Sequence, residues 1–84
     1  MIEYEEILNA LNRLIPVPQN RYYNTIQHLN FVFRIHDDTN NLEIRNARLN
    51  TIHVIENIST RKNKLPKLAR AIYKLLIIET VMES

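Results

Sequence analysis

Apolar residues recur at helical spacing near both ends of the chain. Tyr4, Ile7, Leu8, Leu11, Leu14 and Ile15 follow the i, i+3, i+4, i+7 template, with Glu5, Glu6, Asn9, Asn12 and Arg13 on the other side. The pattern predicts a helix over residues 2–15. Glu3, Glu5 and Glu6 sit in its first turns, where the helix dipole favours negative charge. Pro16 and Pro18 stop it and leave Val17 extended. Further along, Leu68, Ala69, Ala71, Ile72, Leu75 and Leu76 supply the core face of a last helix over residues 64–82, with Pro66 tolerated in its first turn.

Two periods compete in the middle. On a helix over 20–36, Tyr22, Ile26, Leu29, Phe33 and His36 make one stripe, opposite Asn20, Asn24, Gln27 and Arg34. Residues 31–36 and 42–45 also alternate, with Asp37-Asp38-Thr39-Asn40-Asn41 between them, which is the pattern of a β-hairpin. Asparagine supplies the positive φ that such turns need when glycine is absent. Beyond them, Glu43, Asn46, Asn50, His53 and Asn57 fall on one narrow arc of a helix, with Ile44, Ala47, Val54, Ile55 and Ile58 facing away and Leu42, Leu49 and Ile52 on a flank. Asn40 and Glu43 resemble a capping box. This favours a central helix over 41–58, followed by a polar connection over 59–65. The expected fold is all-α, a compact bundle of about four short helices forming a single helical domain over 1–84. The alternative is α+β with a hairpin around 31–45.

Composition narrows the chemistry. The 84 residues suffice for one domain and contain neither cysteine nor glycine. Without cysteine there is no disulfide framework, thiolate zinc site, iron–sulfur cluster or cysteine nucleophile. Without glycine, phosphate loops and dinucleotide fingerprints are excluded, because both need close backbone approach. No cofactor is expected. Twelve Ile and eleven Asn against four Ala suggest A/T-rich coding, hence a low-GC genome such as a bacterium, its phage or plasmid, or a virus. The net charge of +2 is too small to imply nucleic acid by itself. No apolar run is long enough to span a membrane. The acidic start, Met1-Ile2-Glu3-Tyr4-Glu5-Glu6, lacks the basic region and apolar run of a signal peptide, so a cytoplasmic location is expected.

The charge that exists is concentrated. Between Asn57 and Ile78 there is no acidic residue but there are six cations: Arg61, Lys62, Lys64, Lys67, Arg70 and Lys74. Arg61, Lys62 and Lys64 crowd a helix N-terminus, where the dipole opposes positive charge. A cluster that breaks a local rule points to an anion-facing patch, either an acidic protein partner or nucleic-acid phosphate. Only Tyr73 interleaves with these cations, so single-strand stacking is unsupported. Past them, Ile77, Ile78 and Val81 add apolar surface opposite the core face. With Tyr73 they are candidates for an oligomer or partner interface, an isologous homodimer being the simplest closure.

Three other features have simpler readings. The Glu43/Asn46/Asn50/His53/Asn57 face, near Arg45 and Arg48, has the residue types of a DNA-recognition helix, but a solvated face accounts for it. His28, His36 and His53 do not fall at the i, i+4 spacing of a helical metal site, and beside Asp37 and Asp38 a capping role accounts for His36. No metal site is expected. Tyr22, Tyr23, Phe31 and Phe33 read as core.

The segment Pro66-Lys67-Leu68-Ala69-Arg70-Ala71-Ile72-Tyr73, after a helix and a basic linker, loosely resembles part of the small helical bacteriocin-immunity proteins. The resemblance covers less than a third of the chain, carries no specific motif and implies an immunity-like protein as a remote alternative. The residues themselves favour a small non-enzymatic helical protein that binds a partner protein as a regulator or inhibitor and self-associates through its last helix. A DNA-binding transcriptional regulator using the basic 61–74 segment is the second reading.

Overall fold

The computed structural model describes residues 1–15, 24–36, 39–58 and 63–83. Within them the chain forms helix α1 (Tyr4–Leu14), strands β1 (Thr25–His28), β2 (Phe31–Ile35), β3 (Leu42–Asn46) and β4 (Thr51–Ile55), and helix α2 (Leu65–Glu83). The strands form one antiparallel meander in the order β1-β2-β3-β4. The fold is α+β, two helices on a four-stranded sheet.

The all-α bundle is therefore overturned, and with it the expected helices over 20–36 and 41–58. The arc of Glu43, Asn46, Asn50, His53 and Asn57 does not exist as a face. Glu43 points to one side of the sheet and Asn46 and His53 to the other, while Asn50 and Asn57 take positive φ of 56° and 46° at the ends of β4. Asn40, at φ 58°, serves the β2–β3 connection in the same way. In a chain without glycine, asparagine is the residue that reaches this region at low cost. The spacing that imitates a helix mixes three strand residues, Glu43, Asn46 and His53, with two turn asparagines, Asn50 and Asn57. Tyr22, Tyr23, Asp37 and Asp38, and the residues 16–18 expected to end the first helix, lie outside the described residues.

The sheet has one covered and one open side. Phe31, Phe33 and Ile35 of β2 and Leu42, Ile44 and Asn46 of β3 are buried beneath the helices. Ile7, Leu11 and Leu14 of α1 and Leu65, Leu68, Ala69, Ile72 and Leu76 of α2 complete this core, with Ile2 and Ile58. The register places Ile26, Phe33, Ile44 and His53 in one row across the covered side. The open side carries the rows Gln27, Val32, Arg45, Ile52 and Thr25, Arg34, Glu43, Val54. Helix α1 meets β1 and β2, with Glu6 paired to His28. Helix α2 is tied to β3 and β4 through Glu79. Among the described residues no helix is long and apolar enough to cross a membrane.

Candidate functional site

Helix α2 brings most of the predicted binding residues onto one exposed surface. It buries Leu65, Leu68, Ala69, Ile72, Leu76 and Glu79, so the residues half a turn away form its crown. There Lys67, Arg70, Lys74, Ile78 and Val81 are all exposed, with Lys64 just before the helix. None of these cations makes an ion pair among the described residues. Arg70 leans over the Tyr4 ring, 5.5 Å from its centroid, a cation–π contact that fixes its position while keeping its charge. A groove of about 220 Å³ lies beside Lys64 and Lys67, floored by Leu68 and Ala71. Arg61 and Lys62 lie outside the described residues.

The apolar candidates divide. Ile78 and Val81 are 59% and 64% exposed, and Met82, which periodicity did not single out, is 71% exposed. Tyr73 packs partly against the core and lines a cavity with Met1, Ile2 and Tyr4, on the side of α2 that faces α1. Ile77 is half-buried between Tyr73 and Thr80, and Thr80 meets Met1 and Ile2 around another cavity. Tyr73 thus belongs to the join between α2 and the N-terminal segment.

A second cluster lies where α2 crosses the β3–β4 hairpin, and sequence reasoning missed it. Glu79 is a buried carboxylate. One oxygen accepts from Asn46 Nδ2 at 2.7 Å; the other accepts from Thr51 Oγ1 at 3.1 Å and meets His53 Nε2. Burial pushes the Glu79 carboxyl up, but the bonds from Asn46, His53 and Thr51 outweigh it and hold the group below the usual glutamate range. Asn46 is itself fully buried. Its amide also reaches Glu83 at 2.9 Å, and its Oδ1 accepts from the Arg48 and Leu49 backbone N–H groups and from Asn30 Nδ2. That Oδ1 closes the turn after β3 as an Asx-turn does. The only signal in the sequence was a glutamate within an otherwise apolar stretch near the end of α2.

Each described histidine faces a glutamate. His28 pairs with Glu6, His36 with Glu43 at 2.5 Å, and His53 with Glu79. These partners come from other elements, a pairing that local spacing could not reveal. Among the described residues no group of three or more His, Cys, Asp or Glu side chains is placed to hold a metal. The Glu79 cluster joins helix to sheet by saturated hydrogen bonding, whereas the α2 crown presents unpaired charge to solvent. The crown is the better candidate for binding.

No known protein-family model, curated protein or solved structure matches the chain.

Proposed function

We propose that this is a small non-enzymatic protein that acts in the cytoplasm by binding the acidic surface of a partner protein through the crown of α2, as a regulator or inhibitor. The observation that carries this reading is the run of exposed cations Lys64, Lys67, Arg70 and Lys74, unpaired among the described residues and continued along the helix by exposed Ile78 and Val81. Such a face is charged at one end and apolar at the other. It matches a partner that offers carboxylates beside an apolar patch, and charge complementarity would orient the two. The groove is lined by the two lysines together with Leu68 and Ala71, a mix of positive charge and aliphatic surface that suits a Glu or Asp side chain.

Nucleic acid is the weaker reading. Among the described residues the open side of the sheet carries Arg34 and Arg45 but no aromatic residue on which bases could stack, and Glu43 lies directly opposite Arg34. The arc that resembled a DNA-recognition helix is divided between two sides of the sheet and its turns.

Fluorescence anisotropy separates the two readings. The probes are a synthetic acidic amphipathic helix of Glu and Leu, and a duplex DNA, each titrated at about 50 and 200 mM salt. The expected result is binding of the peptide, weakened at least tenfold by the double substitution Lys67→Glu, Lys74→Glu, with DNA bound more weakly than peptide. Tight DNA binding that collapses between the two salt concentrations would replace this reading with the DNA-binding one.

A further inference from the structure

The β4 edge of the sheet is built for pairing. β4 ends the strand order, and among the described residues no strand covers its outer edge. Exposed edges are normally protected by lysine, proline, a bulge or a cover. β4 reads Thr51-Ile52-His53-Val54-Ile55, four β-branched residues of five, without proline, lysine or an acidic residue. Its alternation is also inverted. Thr51 and His53 face the helices, while Ile52 and Val54 stand on the open side at 55% and 57% exposure.

The same side of the molecule carries a stripe of α2. Tyr73 and Thr80 face the N-terminal segment, so the opposite flank of the helix lies on the β4 side. That flank is Ala71, Leu75, Ile78 and Met82, spaced i, i+4, i+7, i+11, with Ile78 and Met82 59% and 71% exposed. Strand edge and helix flank form one lateral surface, and neither β4 nor the flank residues Ala71, Leu75, Ile78 and Met82 include a lysine, arginine, aspartate or glutamate.

We infer that this surface binds a second copy of the chain, β4 pairing antiparallel with β4 about a two-fold axis at His53, and α2 packing beside its twin. The sequence of β4 is self-complementary in this register. Ile52 falls opposite Val54 of the second copy on the open side, and Thr51 opposite Ile55 on the covered side. Beyond the apolar pair, the row of Arg45 and Ile52 continues into Val54 and Glu43 of the second copy, so opposite charges share the row. A charged partner would find nothing to pair with on the apolar flank; an identical copy finds its match.

The spacing of the layers agrees. Strands lie about 4.8 Å apart, so β4 and β3 would sit about 2.4 and 7 Å from the two-fold axis. Helix α2 touches β3 through Asn46 and β4 through Thr51 and His53, so near Glu79 it is seated over both strands. It would lie about 5 Å from the axis and about 10 Å from its twin, within the packing distance of helix pairs. Leu75, Ile78 and Met82 then meet their counterparts. The two sheets become one of eight strands; Ile78 passes from the crown into the contact, while Lys64, Lys67, Arg70, Lys74 and Val81 remain outside it.

Sedimentation equilibrium with the full chain tests this. The expected species has a mass of about 20 kDa, twice the 10.0 kDa chain. Ile52→Lys and Ile78→Lys, both at exposed positions, should each raise its dissociation constant at least tenfold with circular dichroism unchanged. Amide exchange over residues 52–55 should slow as protein concentration rises. A monomer at millimolar concentration, or a dimer indifferent to Ile52→Lys, overturns the proposal. Lys67→Glu separates it from the acidic-partner reading, because that change should weaken binding of the acidic peptide and leave the dimer intact.

Discussion

Asn46, fully buried, ties the β3–β4 hairpin to α2 through its side chain. Its oxygen closes the turn after β3, and its amide bridges Glu79 and Glu83 of α2. Asn46→Ala strands buried acceptors and donors together, and we expect a loss of about 3 kcal/mol in urea unfolding. Glu79 makes the same join pH-dependent. Its carboxyl titrates below its ordinary value in the folded state. Its contribution is therefore complete above the unfolded glutamate pKa of 4.5 and is lost as pH falls below that value toward the folded one. Unfolding free energy should fall more steeply between pH 5 and 3 for the native chain than for Glu79→Gln; parallel curves would exclude this role. Leu29 poses a different residue-scale problem. It carries φ 55° in the two-residue β1–β2 turn, a region that costs a side chain with a Cβ about 1–2 kcal/mol. Leu29→Gly should raise the melting temperature by a few degrees, net of the entropy glycine adds to the unfolded chain.

At the scale of elements, the two helices were legible and the sheet largely was not. Ile7, Leu11 and Leu14, like Leu68, Ile72 and Leu76, repeat at helical spacing because a helix must bury one stripe. The strands β2 and β3 alternate cleanly and lie in the hairpin weighed as the alternative. β4 misled for a physical reason. It places polar Thr51 and His53 inward, where Glu79 satisfies His53 and Thr51, and apolar Ile52 and Val54 outward. Its period therefore could not be aligned with an inward apolar face. Asn46 deepened the error, since a buried asparagine on the core side of β3 reads as solvated until its partners from α2 are known. The cationic run on α2 was legible because it is contiguous in sequence. The Glu79 cluster, which joins α2 to a hairpin distant in sequence, was not. The corrected fold makes a direct spectroscopic prediction: the two helices occupy about a third of the chain, so far-UV circular dichroism should show about that helical fraction. A helical fraction of about 70–75%, as for a bundle with most residues in helices, would contradict it.

Across the whole molecule, charge and apolar surface are separated in a way that net charge conceals. The chain carries only +2, yet the crown of α2 gathers Lys64, Lys67, Arg70 and Lys74 with no acidic residue between Asn57 and Ile78. The open side of the sheet mixes Arg34, Arg45 and Glu43, so it offers no field of one sign. A dimer through β4 would carry two crowns, giving a partner with paired acidic sites a gain in avidity without new contacts. Partner binding at the crown is read residue by residue in a nitrogen-15 NMR titration of the labelled protein with the acidic amphipathic peptide. Shift changes are expected to concentrate at Lys64, Lys67, Lys74 and Val81, with the open side of the sheet unperturbed. Changes centred on Arg34, Arg45 and Val54 instead, or none at saturating peptide, would contradict it.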